Sequence, residues 1–274
     1  MKMDTRRAKI VQQKFFALRS PWKDIILFIL LVAFLTCMMT LSTARLGYKW
    51  QWKRVSRYLV FTKNGEIVAG SLIKGLLVTL RVCGVSLIFA FSVGLITALF
   101  RLSNSFVARF IARGYLEIVR NTPLLVQIYL IYFVLGPIFG FARFFSIVLA
   151  LSLFEGAYAS EVFRAGIVSI HKGQWQAAHS LGMSTLDTYR SVILPQAVQR
   201  ILPPLTSQAI SLVKDSALAS IIAVSDLTME AQMAISDSFL TFEIWFTVAA
   251  IYLVITVTLS TLVHFMEKQF KILT

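Results

Sequence analysis

Long apolar runs separated by short polar connections dominate the pattern of this sequence. Six runs have about the length of 20 residues that a helix needs to cross the hydrocarbon core of a bilayer. They lie at 25–43, 72–100, 115–135, 144–168, 197–224 and 242–265. The pattern therefore predicts an all-α, polytopic membrane protein with about six transmembrane helices.

Composition supports this class and weakens one alternative. Of the 274 residues, 57% are hydrophobic and only 15% are charged, which is too apolar for a soluble domain. The net charge of +14 would suit nucleic acid, but Lys and Arg also accumulate in the cytoplasmic loops of membrane proteins. We therefore expect the lipid bilayer as a partner, and no nucleic acid. Cys37 and Cys83 fall inside predicted helices, so neither a disulfide nor a metal site is expected.

The basic tail before the first apolar run predicts the orientation of the chain. Its cations place the N-terminus in the cytoplasm, and they are Lys2, Arg6, Arg7, Lys9, Lys14, Arg19 and Lys23. An even number of helices then returns the C-terminus, with Lys268 and Lys271, to the cytoplasmic side. A cleaved signal peptide is the alternative, since Ser42 and Ala44 are small enough for a cleavage site, but the apolar run is long for a signal.

The later connections differ in charge, as this orientation requires. Those on the cytoplasmic side carry Arg101, Arg109, Arg113, Lys172, Arg190 and Arg200. Those on the opposite side carry Asp226, Glu230, Asp237 and Glu243. One exception is the basic stretch 45–63, which falls outside; because Trp50, Trp52 and Tyr58 lie among its cations, we expect an amphipathic element on the outer membrane surface. We divide the chain into 1–70, with the tail, the extra helix and this loop, and 71–274, with the remaining helices.

The polar stretch 173–195, "GQWQAAHSLGMSTLDTYRSVILP", predicts two short amphipathic helices. One face is formed at spacings of three or four by Trp175, Ala178, Gly182, Leu186, Tyr189 and Ile193. Gly182 suits a helix C-terminus, Ser184 with Asp187 resembles a capping box, and Pro195 is expected to end the second helix. A DNA-binding helix-turn-helix is the alternative, but Arg190 is the single cation of its second helix, and both ends are tied to membrane spans.

These residues also carry a family resemblance. Gln176-Ala177-Ala178, followed by Gly182 and Leu194-Pro195, resembles the EAA loop of bacterial ATP-binding-cassette importer permeases. From about Leu72 to the C-terminus, further segments are similar to the polar amino-acid permease family: "YLEIVRNTPLLVQIYLIYFVLG", "GAYASEVFRAGIVSIHKGQ", "ILPQAVQRILPPL" and "SLVKDSALASI". Two positions depart from the family pattern. Gln176 stands where Glu is usual, which removes a carboxylate that could pair with a partner ATPase, and Val192 stands where Ile is usual.

The resemblance implies the permease subunit of an ATP-driven amino-acid importer, with a five-helix core and one additional N-terminal helix. It implies a cell inner membrane location, a coupling loop at about 165–196, two ATP-binding subunits, a second permease forming a homodimer or heterodimer, and an extracytoplasmic amino-acid-binding protein. The chain has no G-x-x-x-x-G-K-[ST] phosphate loop, so it is not itself expected to be an enzyme or to hold a cofactor. ATP and Mg are expected on the partner ATPase.

The coupling residues implied by the family are Gln176, Ala177, Ala178, Gly182, Leu194 and Pro195. Small residues in this loop would allow a close fit to an ATPase; packing of Ala177, Ala178 and Gly182 on the chain's own helices is the less favoured alternative. Pro203-Pro204, in the next helix, is expected to interrupt that helix, as at a moving joint or an ordinary kink. Arg120, Asn121 and Pro123 open the third predicted span, either as a structural element or as part of an inner gate.

Ionisable residues inside predicted spans are candidates for the solute path, because their insertion is costly. Lys214 and Asp215 lie near mid-bilayer and are suited to the two charges of an amino acid; since neighbours on a helix do not face each other, one would line the path while the other contacts another span. Glu155, with Tyr158 on the same face, would select the side chain or balance Lys214. Mutual neutralisation between spans is the structural alternative.

Two functions from other classes remain open from the residues alone. An ion-driven secondary transporter would carry an inverted repeat and need no coupling loop. A membrane anchor recruiting a cytoplasmic enzyme would need no charges within its spans. Neither alternative accounts for both the loop and the buried charges. Glu161 and Arg164 are expected to form an interfacial charge pair, and Arg81 has no assigned role.

Overall fold

The computed structural model describes residues 21–45, 48–63 and 65–270. The predicted basic tail up to Arg19, and Lys271 near the C-terminus, lie outside the described residues. The chain forms two units, and the first ends at Trp50. It contains helix α1, Pro21–Arg45, whose apolar stretch Ile25–Met38 has its side chains exposed. A helix that is apolar all round is typical of a membrane span, so α1 agrees with the first predicted run.

The second unit begins at Gln51 with a small amphipathic element. Helix α2, Trp52–Leu59, is followed by an antiparallel hairpin of β1, Val60–Lys63, and β2, Glu66–Ala69. Val55 in α2 is buried among apolar residues of later helices, while the cations of α2 are exposed. The prediction of an amphipathic element in the basic stretch 45–63 is therefore confirmed. The sequence pattern does not predict the hairpin, because strands of four residues are too short to show a period.

The remaining secondary structure is helical, and its elements are α3 Ser71–Leu102, α4 Phe106–Arg120, α5 Leu124–Tyr129, α6 Gly136–Phe139, α7 Arg143–Val168, α8 Lys172–Ser180, α9 Thr185–Thr188, α10 Leu194–Asp215, α11 Leu227–Ser238 and α12 Thr241–Phe270. π-Helical turns connect α5 to α6 at Leu130–Leu135 and α9 to α10 at Tyr189–Ile193. A 3₁₀-helix, Ser216–Ile222, continues α10. The protein is thus an all-α polytopic membrane protein with one small hairpin.

Helices α3 and α7 form the centre of the second unit and run in the same direction. Gly94 of α3 lies against Ala159 of α7, where an added Cβ would be 2.9 Å from the Ala159 Cβ, and farther along Arg101 pairs with Glu161. Small residues let membrane helices approach this closely. Helix α10 runs antiparallel to α7. The two ends of this bundle therefore carry different connections: α3 and α7 begin at one end, and the connection from α7 to α10 lies at the other.

Among the described residues, three helices are long and apolar enough to cross a membrane: α3, α7 and the Thr241–Val263 part of α12. A fourth is added if α4 and the segment Leu124–Phe139 form one bent span. The predicted count of about six includes two helices that do not meet this criterion. The apolar stretch of α1 is short, and α10 carries Gln, Arg, Lys and Asp among its apolar residues.

The prediction of one continuous helix at 115–135 is wrong. Helix α4 ends at Arg120, and a bend of 105° separates it from the segment that starts at Leu124. Pro123 disfavours helical geometry in the residue before it, so the first helix stops and a new one starts after the proline. Asn121 completes the stop, since its Nδ2 donates to the Glu117 carbonyl oxygen at 2.7 Å. Pro123 therefore precedes only the second half of the predicted span.

Two further proline predictions are also wrong. The helix after the polar loop does not end at Pro195, and α10 continues through Pro203 and Pro204. Pro195 follows directly on the wider π-helical turn, which accommodates a ring and a missing amide hydrogen. Between the other prolines and α7, Ile201 and Leu205 are buried in an apolar cluster. This packing accounts for a helix that stays continuous although two residues lack a backbone donor.

Candidate coupling loop and solute path

The first half of the polar loop is a helix with well-defined ends. His171 precedes α8, and its Nδ1 accepts the Gly173 amide at 3.0 Å. At the other end Gly182 has φ of +72°, its amide donates to His179, and the Met183 amide donates to Ala178 at 3.1 Å. This is the Schellman termination, which favours glycine because of the positive φ. The predicted role of Gly182 at a helix C-terminus is confirmed.

The second helix starts at the predicted cap. The Ser184 Oγ accepts the Asp187 amide at 3.2 Å and donates to the Asp187 carboxylate at 2.5 Å. A capping box would instead direct the acidic side chain to the backbone amide of the cap. The N-cap is therefore present, but its reciprocal bond involves two side chains. From Thr185 onward the backbone remains helical through Asp215, so the second short helix is the first part of α10's helical run.

The loop is held to the bundle on one side. The rings of Trp175 and Tyr189 meet edge to face with centroids 4.9 Å apart, and Ala178 and Ile193 are buried. Beyond them, the Arg200 guanidinium donates to the Ser169 carbonyl oxygen at 2.6 Å. Four of the six positions on the predicted apolar face are thus at least half-buried. The arrangement fixes α8 against α10, and movement of one would be transmitted to the other.

The tip of the loop is exposed and partly apolar. Leu181 and Leu186 have 81% and 76% of their surfaces exposed, and Gln176, Ala177 and Gly182 are exposed beside them. Ala178, by contrast, is buried and belongs to the internal contact. Leu194 and Pro195 are exposed in the first turn of α10. The sequence analysis did not single out Leu181. The available indication was a large apolar residue placed between the end of a helix and a glycine, outside the predicted buried face.

The structure brings three of the ionisable or polar side chains together between α7 and α10. Glu155 is 1% exposed, and one of its carboxylate oxygens accepts a hydrogen bond from Gln208. Asp215 of α10 lies near this carboxylate, whose second oxygen is buried without a hydrogen-bond partner among the described residues. Lys214 is exposed and forms no ion pair among the described residues, so the alternative in which it balances Glu155 gains no support. Sequence reasoning missed Gln208, although an amide within an otherwise apolar stretch is a usable signal.

Tyr158 contacts a different group. Its ring packs against Phe154 with centroids 5.1 Å apart, and the Arg120 guanidinium lies 5.7 Å from its centre. Arg120 in turn belongs to a cluster around Glu161, whose carboxylate pairs with Arg101 at 2.7 Å, Arg120 at 3.1 Å and Arg164 at 3.4 Å. The predicted charge pair is therefore confirmed and is larger than expected. It joins α3, α4 and α7 at the loop end of the bundle.

Another buried carboxylate lies at the opposite end, in the connection before α11. Asp226 caps that helix, because its Oδ1 accepts the Met229 amide at 2.8 Å. Its other oxygen is buried without a hydrogen-bond partner among the described residues. Burial raises the pKa of Asp226 to about 6, and the hydrogen bonds it accepts oppose that rise. The predicted acidic side of the molecule thus includes a structural cap.

Residues 90–272, more than half of the chain, match the family of binding-protein-dependent transport system inner membrane components. The glutamine transport system permease protein of Escherichia coli K12 is 38% identical over 205 residues, which are 74% of this chain and 94% of that protein. The L-cystine transport system permease protein of Bacillus subtilis 168 is 40% identical over 198 residues, or 71% and 84% of the two chains.

Solved structures agree with these matches. A chain from an amino acid ABC transporter crystallised with histidines superposes with a TM-score of 0.68 at 38% identity, covering 73% of this chain and 94% of that chain. A chain of the inward-facing MetNI methionine ABC transporter has a TM-score of 0.63 at 18% identity, with 73% and 96% covered, and it supports the fold alone. The loop and the buried carboxyl groups lie within the family match, whereas α2 and the hairpin precede it.

Proposed function

Because the chain belongs to the binding-protein-dependent transport system inner membrane components and is a polar amino-acid ABC permease, we propose that it forms the import path for a polar amino acid and is driven by cytoplasmic ATPase subunits. The observation that carries the proposal is the exposed loop tip, which is rigidly connected to the helix bearing Asp215. Such a lever would transmit an external push to the buried carboxyl groups.

The work of transport comes from two ATP-binding subunits in this proposal. The chain contains no phosphate-binding loop, so ATP and Mg are bound by those partners. Leu181 and Leu186, with the small exposed residues Ala177 and Gly182 in the same loop, provide the apolar contact for a groove on each ATPase. Exposed apolar side chains on a polar loop are typical of a protein interface. Gln176 contributes hydrogen bonds in place of the ionic contact that Glu would make.

The buried group around Glu155 is suited to the charges of the solute. A carboxylate in a low-dielectric environment attracts the ammonium of an amino acid strongly. Asp215 and Gln208 complete a polar surface on two helices that meet at this point. Lys214, exposed on the adjacent face, is available for a carboxylate or for a second permease subunit, which is identical or homologous. An extracytoplasmic binding protein delivers the solute.

The orientation follows from the same proposal. The loop and its arginine cluster lie in the cytoplasm, and so do both termini, as the positive-inside rule favours. The acidic connections at 226–243 lie on the extracytoplasmic side of the inner membrane. Labelling of single cysteines introduced at Leu181 and at Asp237 with a membrane-impermeant maleimide tests this directly. Reaction of Leu181→Cys, but not Asp237→Cys, from the cytoplasmic side is the expected result.

The decisive experiment is ATP-dependent uptake in proteoliposomes containing the chain, its ATPase and its binding protein. The amino-acid panel includes glutamine, glutamate, histidine and arginine. Gly182→Trp is expected to abolish uptake and co-purification of the ATPase, because the bulky side chain occupies the contact and the positive φ at Gly182 is strained for tryptophan. Leu181→Asp is expected to weaken co-purification without affecting the fold, since this side chain is exposed.

Gly182→Asn is the matched control, because asparagine tolerates positive φ and remains small. It is expected to retain most uptake. Uptake that is indifferent to ATP and to all three substitutions would exclude the importer and favour an ion-driven transporter. Uptake that requires ATP, together with full ATPase binding by Gly182→Trp, would keep the importer but remove this loop from the contact.

A further inference from the structure

A polar cavity lies at the end of the bundle opposite the coupling loop. It opens between α2, α3 and α11 and has a volume of about 800 Å³. Ligand sites for small molecules typically measure about 300–1,000 Å³. The cavity lies where α3 begins, whereas the coupling loop follows the end of the parallel helix α7. It is therefore separate from both the loop and the carboxyl groups around Glu155.

The wall of this cavity carries charges of both signs on different elements. Arg57 comes from α2, Lys74 from α3, and Glu230 and Asp237 from α11. None of these four side chains forms an ion pair in the part of the chain that the structure describes. Lys74 and Glu230 are near enough that the positive charge opposes the burial-induced rise of the pKa of Glu230. Two cations and two carboxylates thus line one space. Arg57 already donates to the Tyr58 hydroxyl at 2.9 Å and lies 5.0 Å from the centre of its ring, so the charges on which a ligand would depend are those of Lys74, Glu230 and Asp237.

The positive and negative side chains of the cavity also lie at opposite kinds of helix end. Lys74 lies in the first turn of the 32-residue helix α3 and Asp237 in the last turn of α11. A helix N-terminus favours an anionic group and a C-terminus favours a cation. Beside Lys74, the Ser71 Oγ is buried and has no hydrogen-bond partner among the described residues. The cavity therefore offers an unused donor at its anion-attracting side.

We propose that this cavity binds a small zwitterion, with its anionic group at Lys74 and Ser71 and its ammonium at Glu230 and Asp237. A free anion would be repelled by the two carboxylates, and a metal ion by the two cations. Phe61, which also lines the cavity, provides apolar contact for the rest of the ligand. The site goes beyond the proposed import path and does not depend on coupling to an ATPase.

Two sources supply this chemistry, a free α-amino acid and the phosphoethanolamine headgroup of a lipid. Both carry an anionic group and a primary ammonium a few bonds apart. The experiment separates them by using the full chain in nanodiscs of phosphatidylcholine and phosphatidylglycerol, with no ATPase present. Glycine, L-glutamine, L-glutamate, L-arginine and O-phosphoethanolamine are titrated by calorimetry, and N-acetyl-L-glutamine and L-glutaminamide test the need for each charge.

Saturable binding of an amino acid is the expected result, with at least tenfold weaker binding of both blocked glutamine derivatives. Lys74→Met and Asp237→Asn are expected to weaken it to a similar degree. Lys53→Met and Glu66→Gln are the matched controls, because both residues are exposed on the neighbouring α2 and β2 and neither lines the cavity. Binding of O-phosphoethanolamine alone, with loss of its signal in discs containing phosphatidylethanolamine, would assign the site to the lipid headgroup.

The inference is overturned if no zwitterion binds saturably, or if binding is unchanged in both Lys74→Met and Asp237→Asn. It is also overturned if Glu155→Gln abolishes binding while the cavity variants do not, because the ligand would then occupy the path. That outcome would leave the proposed import function intact. Monodisperse elution and an unchanged helical signal establish that each variant is folded, which is expected because Lys74 and Asp237 are exposed.

Discussion

Helices α7 and α10 pack along each other. The part of their contact near the coupling loop differs in chemistry from the middle of the contact. Near the coupling loop the contact is apolar and very close: an added Cβ on Gly166 would lie 2.2 Å from the Ile201 Cγ1. In the middle, the same pair encloses Glu155, Gln208 and Asp215. A close apolar contact resists relative motion, whereas a partly satisfied polar group is costly to bury. One helix pair thus combines a rigid lever with a polar site.

The largest expected effect comes from disrupting the close end. Gly166→Leu would place a side chain where Ile201 lies, and overpacking of this kind costs about 1–3 kcal/mol or more. We expect a lower melting temperature and loss of nearly all uptake. Gly84→Leu is the control, since an added Cβ there meets nothing within 4 Å. Equal behaviour of the two variants in thermal unfolding and uptake would contradict a tight contact at Gly166.

A substitution in the polar middle of the α7–α10 contact should reduce uptake without reducing stability. Glu155→Gln keeps a hydrogen-bonding side chain beside Gln208 but removes the charge. We expect uptake to fall about tenfold to a hundredfold, equivalent to roughly 1.4–2.7 kcal/mol, while the melting temperature stays constant or rises, because a charge inside a span is costly. Proteoliposome uptake and thermal unfolding of the same preparations measure both. Parallel losses of stability and uptake would instead indicate a structural role.

Asp226, a buried carboxylate outside the membrane spans, extends the comparison, because its burial should make the melting temperature depend on pH. Asp226 has a folded-state pKa raised to about 6, so the folded chain binds the proton more tightly than the unfolded chain. Its contribution favours folding below about pH 4 and is lost as the pH rises to about 6. We expect Asp226→Asn to flatten this part of the pH profile of the melting temperature and to raise that temperature at pH 7. An identical profile for both chains would contradict the burial of an ionisable Asp226.

The smallest expected effect concerns the cap of α9. Ser184→Ala removes the acceptor for the Asp187 amide, and losing such a cap costs about 1 kcal/mol. Hydrogen exchange of the amides in 185–188 should accelerate, with only a modest change in uptake, because α10 holds the rest of the helix. Ser184→Asp preserves a capping oxygen and should exchange like the native chain. Faster exchange in both variants would show that the hydroxyl itself is needed.

Several elements followed from local patterns in the sequence. The apolar runs indicated α3, α7 and most of α12, and the Gly182 and Ser184 positions indicated both ends of the coupling turn, because these features depend on side chains three or four residues apart. The predictions based on prolines were wrong in two ways: one helix break was missed, and other expected breaks do not occur. Pro123 separates two helices where one was expected, while Pro195, Pro203 and Pro204 lie within a continuous helix, since packing of α10 on α7 and a π-helical turn offset the missing hydrogen bonds.

The sequence by itself determined the membrane class, the family and the polar loop, because composition, span length and spacing are properties of the chain alone. Only the tertiary structure decided which partners the charges have. Glu155 accepts a hydrogen bond from Gln208 and lies near Asp215, and Glu161 pairs with three arginines from three helices. It also decided that Arg57, Lys74, Glu230 and Asp237 share one cavity. The reason is physical: apart from the pair Glu161–Arg164, these contacts join residues far apart in the chain, and their geometry depends on how closely the helices pack.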